Sequence, residues 1–101
     1  MAQLDVFQTD QGEYLLDFQS NTLDHLNTRF VIPLVRPDDG PKLAERLNPI
    51  FSIDGEPMAL YTQFALTVPV SELKNFVTSL SDQHYLVMSA IDMLITAAGF
   101  A

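Results

Sequence analysis

His25 and Arg29 stand four residues apart, with Asp24 beside the histidine. An imidazole, a carboxylate and a guanidinium are the groups needed to move a proton and to stabilise charge developing on a phosphodiester. No other local set in the chain offers that combination. The surrounding residues 21–27 are polar and irregular, so His25 also reads simply as a surface loop residue. His84 is the second histidine, and it falls where a C-terminal helix should begin, facing solvent. Two histidines far apart in sequence, with no cysteine in the chain, do not make a metal-ligand set. No Gly-rich phosphate loop or nucleophile elbow is present. Neither a metal nor a cofactor is expected.

The second constellation is a line rather than a cluster. Ser89, Asp92 and Thr96 recur at i, i+3 and i+7 within an otherwise apolar stretch. On a helix they share one face. Val87, Ile91, Leu94, Ile95 and Ala98 follow helical spacing on another, with Leu86, Ala90, Met93 and Ala97 beside them. A helix this apolar needs cover on most sides, from its own sheet and from a partner. The polar line is then either a solvated face or a surface for recognition.

The elements that must position these residues are mostly strands. Leu4, Val6 and Gln8 begin a strand, Thr9-Asp10-Gln11-Gly12 turns it, and residues 14–19 return. Residues 29–35 are a strongly apolar strand in which Pro33, lacking an N–H, points to an edge or a bulge. Residues 37–41 form a loop, and Pro41 suits the start of a one- or two-turn helix over 42–47 that Pro49 ends. Asp54-Gly55 links strands 50–53 and 57–62 as a tight hairpin. Residues 65–70 are a further strand with an edge-type proline, and residues 71–74 are ambiguous. Ser81 or Asp82 can cap the final helix. Met58, Met88 and Met93 suit core or interface packing. Tyr61 and Tyr85 fit either an interface or the edge of the core.

Composition bounds the function. The chain has 101 residues, enough for one domain with a modest core, and 48% are hydrophobic. Thirteen acidic residues against five basic ones give a net charge of -8. Arg29, Arg36, Lys42, Arg46 and Lys74 are scattered along the chain, so direct nucleic-acid binding is disfavoured. Partners with basic or apolar surfaces are favoured instead. No apolar run is long enough to span a membrane. The first residues carry no leader pattern, and the expected location is the cytoplasm.

Three blocks carry a resemblance. The first spans residues 16–34, with Asp17, Gln19-Ser20, Leu23-Asp24 and Arg29-Phe30-Val31-Ile32-Pro33-Leu34. The second runs from Asn48-Pro49 through Met58 and Thr62 to Thr67-Val68-Pro69-Val70-Ser71. The third joins Val77 and Leu80-Ser81 to Ala90-Ile91-Asp92-Met93-Leu94-Ile95. In order and spacing the chain resembles CcdB-type toxins from about Gln3 onward. The resemblance implies a mainly β (α+β) fold, an SH3-like β-barrel with a small additional sheet and a long C-terminal helix, similar to MazF. It implies a symmetric homodimer, a cognate CcdA-like antitoxin, and a non-enzymatic toxin that binds the GyrA subunit of DNA gyrase and traps the cleaved DNA complex. The family's gyrase contacts, carried over by position, fall on Thr22, Leu23, Ser89, Asp92 and Thr96. The family's Trp-Gly-Ile end is replaced by Thr96-Ala97-Ala98, so the Gly-plus-apolar tail falls on Gly99, Phe100 and Ala101. Thr9, Asp10, Gln11, Gly12 and Glu13 are the implied antitoxin contacts, with residues 37–41 a further candidate. The same fold in MazF-type toxins supports a ribonuclease, which is the alternative reading. A member that binds antitoxin without poisoning gyrase is the third.

Overall fold

Seven short strands build an antiparallel sheet that curls into a half-barrel, with one helix against it, in a computed structural model that describes residues 2–95. The strands are β1 (Asp5–Gln8), β2 (Tyr14–Asp17), β3 (Thr28–Val35), β4 (Ile50–Ile53), β5 (Glu56–Leu60), β6 (Leu66–Pro69) and β7 (Asn75–Ser79), followed by α1 (His84–Ile95). The order across the sheet is β4-β5-β3-β2-β1-β7, with β6 branching from β3. The additional strands expected from the resemblance are therefore continuous with the main sheet.

β3 is the trunk of that branch. One of its sides pairs with β2 from Tyr14↔Leu34 to Asp17↔Val31. On its other side, residues 28–31 pair with β6 and residues 34–35 with β5. Pro33 thus lies in an interior strand, in unbroken register with β2, and not at the edge or bulge expected from its chemistry. Its carbonyl accepts the Tyr61 amide at 3.0 Å, so its nitrogen faces the same side, where the partner strand changes from β5 to β6. The missing N–H falls at that changeover and leaves no ladder bond unmade. Pro69 is in β6, which pairs only with β3, and there the edge reading holds.

Alternation along β3 divides the core in two. Ile32 and Leu34 join Leu4, Val6, Leu16, Phe51, Leu60 and the Val87–Ala90 face of α1. Val31 joins Phe7, Leu15 and Leu73 on the opposite face. Near-complete burial on both faces explains why residues 31–34 are a continuous apolar run.

The turns follow their residues. Asp54 and Gly55, at φ +54° and +80°, connect β4 to β5 in a two-residue loop, as the twist of a hairpin requires. Residues 42–47 are not a helix. Asn48 Oδ1 accepts the Ala44 amide at 2.9 Å, and its Nδ2 donates to the Leu60 carbonyl at 3.0 Å. This buried side chain holds a single turn in place of a helix. Neither Ser81 nor Asp82 caps α1: Leu80 occupies the cap position of a 3-10 turn at Ser81–Gln83, and the Ser79 hydroxyl accepts the Ser81 amide.

Gly40 is fixed by a close approach. A Cβ there would meet the ring of Tyr61, which is fully buried and donates its hydroxyl hydrogen to the Pro41 carbonyl at 2.9 Å. Tyr61 cannot swing away, so Gly40→Ala should destabilise the protein by about 1–3 kcal/mol, the usual cost of overpacking. Urea unfolding measures this as a lower midpoint with an unchanged slope.

Candidate functional site

Residues 17–30 are organised by a buried ion pair. Asp17 ends β2 and Arg29 enters β3. The two side chains are 0% and 1% exposed, and Arg29 Nη2 lies 2.8 Å from Asp17 Oδ2. Arg29 Nε donates to the same oxygen at 3.0 Å. Nη2 is buried and not aligned for a hydrogen bond, so the pairing is imperfect. Asp17 Oδ1 accepts the Gln19 amide at 3.1 Å. Burial pushes the Asp17 carboxyl above its ordinary value, against the downward pull of Arg29 and the Gln19 amide. Desolvation therefore outweighs pairing, as is common for buried charges.

Gln19 extends the network outward. Its Oε1 accepts the Phe30 amide at 3.0 Å and its Nε2 donates to the Leu23 carbonyl at 2.9 Å. Leu23 closes a 3-10 turn at Asn21–Leu23 in which the Thr22 amide donates to the Ser20 hydroxyl and the Leu23 amide to the Ser20 carbonyl. Thr22 and Leu23 are both exposed. The loop residues implied as partner contacts are thus presented by a chain of side chains rooted in the ion pair.

α1 carries the other half. Val87 and Ala90 are buried, and Met88 and Ile91 pack against the same core. Ser89 and Asp92 lie on the outward side, with Ser89 half-buried and Asp92 exposed. Arg46 Nη2 donates to Ser89 Oγ at 3.2 Å, which brings the 45–47 turn to the edge of this face. Tyr85, four residues before Ser89, extends the line and is 80% exposed. Helical spacing backward from Ser89 reaches Tyr85 directly, and this was the signal for it in the sequence. Leu86, Leu94 and Ile95 are also exposed. Within the chain the helix is covered on one side, by its own sheet.

The described side-chain bonds tie the two halves to different neighbours: Leu23 to Gln19, Ser89 to Arg46. Thr96, Gly99, Phe100 and Ala101 lie outside the described residues. On the β1–β2 hairpin, Asp10, Gln11, Gly12 and Glu13 are exposed, but Thr9 is buried, and its hydroxyl accepts the Glu13 amide at 3.2 Å. Thr9 shapes the turn and is not available as a contact. The His25–Arg29 pair is separated: His25 is exposed while Arg29 is committed to Asp17. Among the described residues no group of three His, Asp or Glu could hold a metal, and no helix is long and apolar enough to cross a membrane.

The profile of the family described as CcdB protein matches residues 3–97. A comparison with curated proteins finds no match. Among solved structures the fold is similar to Mycobacterium tuberculosis toxin MazF-mt6, with a TM-score of 0.69 and 17% identity over 87% of this chain and 90% of that one.

Single substitutions in the network should separate its roles. Asp17→Ala or Arg29→Ala strands a buried charge and should cost about 3–5 kcal/mol in urea unfolding. Gln19→Ala frees one amide and one carbonyl near the surface and should cost only about 1–2 kcal/mol while speeding amide exchange at residues 21–24. The raised Asp17 carboxyl also sets a pH dependence. The native state holds that proton more tightly than the unfolded chain, so its contribution is full below the ordinary value of about 4 and fades as pH rises through the native value. The stability difference between the wild type and Asp17→Asn should shift against the wild type over that window, measured by unfolding midpoints at stepped pH.

Proposed function

The chain belongs to the CcdB family and is a CcdB-type toxin, and from that premise we propose that it acts by binding the GyrA subunit of DNA gyrase and holding the cleaved DNA complex open. The observation that carries this reading is the outward line of α1. Tyr85, Ser89 and Asp92 form one exposed-to-half-buried stripe beside uncovered Leu86 and Leu94. An aromatic set among polar groups, with apolar surface at its flank, is the composition of a protein-recognition surface. Asp92 contributes a polar contact to a basic residue of gyrase. Thr22 and Leu23 add a second contact from the rigidly held turn. Thr96, Gly99, Phe100 and Ala101 complete the surface in this proposal, with Phe100 as an apolar anchor.

A symmetric homodimer and neutralisation by a cognate antitoxin accompany the family. In this reading the antitoxin contacts Asp10, Gln11, Gly12 and Glu13 at the β1–β2 hairpin. No catalytic step is assigned to any residue. A ribonuclease role would draw on the fold shared with MazF-mt6, but Arg29 is not free to stabilise a phosphate. The net charge of -8 further opposes RNA.

The test is to incubate the purified protein with gyrase, ATP and supercoiled DNA, and to look for linear DNA after denaturing the enzyme. Linear product is expected. Tyr85→Ala and Phe100→Ala should each raise the concentration needed by about tenfold or more, a loss of ~1.4 kcal/mol of binding, without lowering thermal stability. Absence of linear DNA with folded protein and gyrase of the matching host would reject the mechanism. RNA degradation by the same preparation would replace it with the ribonuclease alternative.

A further inference from the structure

The half-barrel stands open along one side. β4 and β7 are the two ends of the sheet order, and among the described residues neither has a second strand beside it. The curl of the sheet brings these ends to a shared cleft of about 320 Å3. Ile50, Phe51 and Ser52 line it from β4, and Thr78, Ser79 and Leu80 from the β7 side. Asp82, Gln83 and Leu86 complete the lining.

The register shows which backbone groups face this cleft. Bonded and non-bonded pairs alternate along an antiparallel ladder. Ile53 and Glu56 close the two-residue loop of the β4–β5 hairpin, and the Leu60 amide donates to the Pro49 carbonyl at 2.9 Å. Phe51 and Met58 lie midway between those pairs and are bonded in turn. Ile50 and Ser52 fall on the alternate positions and turn their N–H and C=O groups away from β5. Pro57, which has no N–H, sits opposite Ser52, as that alternation requires. On β7 the Leu80 amide donates to the Leu4 carbonyl at 2.8 Å, so Ser79, one residue before it, turns its backbone away from β1. The outward groups of Ile50 and Ser52 are about 6.8 Å apart, the repeat of an extended strand.

Sheet edges that stay in water are blunted by charge, proline or a bulge. β7 has such a bulge, where its register against β1 shifts between Val6 and Phe7. β4 has none of these. Ile50-Phe51-Ser52-Ile53 carries neither charge nor proline, keeps unbroken register with β5, and leaves Ile50 49% exposed. We propose that this seam receives an extended segment of a partner protein, added as a strand along β4, with Ser79 bonding its other side. Partner residues bonded to Ile50 and Ser52 point to solvent with them, and the residue between points inward onto Phe51, Leu80 and Leu86. A segment alternating apolar and polar residues therefore fits. Asp82 is the one charged residue of the lining, so a Lys or Arg among the polar positions is favoured. A helix brings no free backbone groups to Ile50 and Ser52. A second folded copy of this chain is obstructed, because β7 stands where its sheet would continue. The inference goes beyond the gyrase reading: the seam contains none of the proposed gyrase or antitoxin contacts, and only Leu86 also flanks the α1 stripe.

The test uses the full chain and fluorescein-labelled Val-Thr-Val-Lys-Val, with two control peptides. One is N-methylated at every amide, which keeps the side chains and removes the donors a strand needs. The other carries glutamate for lysine. Fluorescence anisotropy should show saturable binding of the parent peptide, with each control at least about tenfold weaker. Amide exchange gives the residue-level readout. The Ile50 and Ser52 amides should exchange quickly in the free chain and slow on saturation, while Phe51, already bonded to Met58, is slow throughout. Ile50→Lys blunts the edge at an exposed position, so it should weaken binding at least about tenfold with little change in thermal unfolding. Asp82→Asn should lower the affinity and flatten its salt dependence. Equal binding of either control, unchanged binding by Ile50→Lys, or no saturable binding up to about 1 mM, the weak end of the affinity scale, would each overturn the proposal. So would slow exchange of Ile50 and Ser52 in the free chain, which would assign the edge to a second copy if it were lost on dilution.

Discussion

The Asp17–Arg29 ion pair is the constraint around which this small fold is arranged. It lies on the sheet face that carries Val31, Leu15 and Phe7, with both side chains out of contact with water. Its worth is geometric rather than energetic. The carboxyl is pushed up by burial despite the guanidinium beside it, so ionisation in place is costly. Once both charges are inside, however, each must keep the other. That requirement fixes the end of β2 against the start of β3. It fixes Gln19 through Asp17 Oδ1, and through Gln19 it fixes the Asn21–Leu23 turn. The Asp17 carbonyl also takes the Leu4 amide at 2.6 Å, and the Leu4 carbonyl takes the Leu80 amide. The start of the chain, the exposed turn and the approach to α1 therefore refer to one buried point. Leu4 is held there at φ +75°, a conformation few leucines adopt.

In the proposed reading, this arrangement serves recognition by surfaces. The rigid sheet presents a polar-aromatic helix stripe at one place and an open strand edge at another. A strongly acidic molecule suits partners that bring basic or apolar groups. The helix stripe offers apolar flanks and few charges, whereas the open edge offers backbone groups turned away from the sheet.

Much of this was legible in the residues. Asp54-Gly55 specifies its turn because only residues tolerant of positive φ serve there. The apolar run in β3 is readable as a buried strand, and Ser89 and Asp92 as one helix face. What was not legible depended on long-range partners. Pro33 reads locally as an edge or bulge residue, but its nitrogen meets the gap between β5 and β6. Residues 42–47 have helical composition, yet Asn48 reaches Leu60, twelve residues on, and holds a turn instead. Thr9 looks like part of an exposed loop until its hydroxyl is seen bonding Glu13. Arg29 looks available for chemistry until Asp17 is placed against it. The seam between β4 and β7 has no local signature at all, because its walls come from distant stretches of chain.

Hydrogen–deuterium exchange of the full chain with and without GyrA tests the central claim most directly. The proposed partner surface is the pair of elements carrying Thr22-Leu23 and Tyr85-Ser89-Asp92, separate from the two hairpins. GyrA should then slow exchange in residues 21–24 and along α1, and leave residues 12–14 and 54–58 unchanged. Slowed exchange confined to the hairpins, or no change anywhere at saturating GyrA, would contradict it.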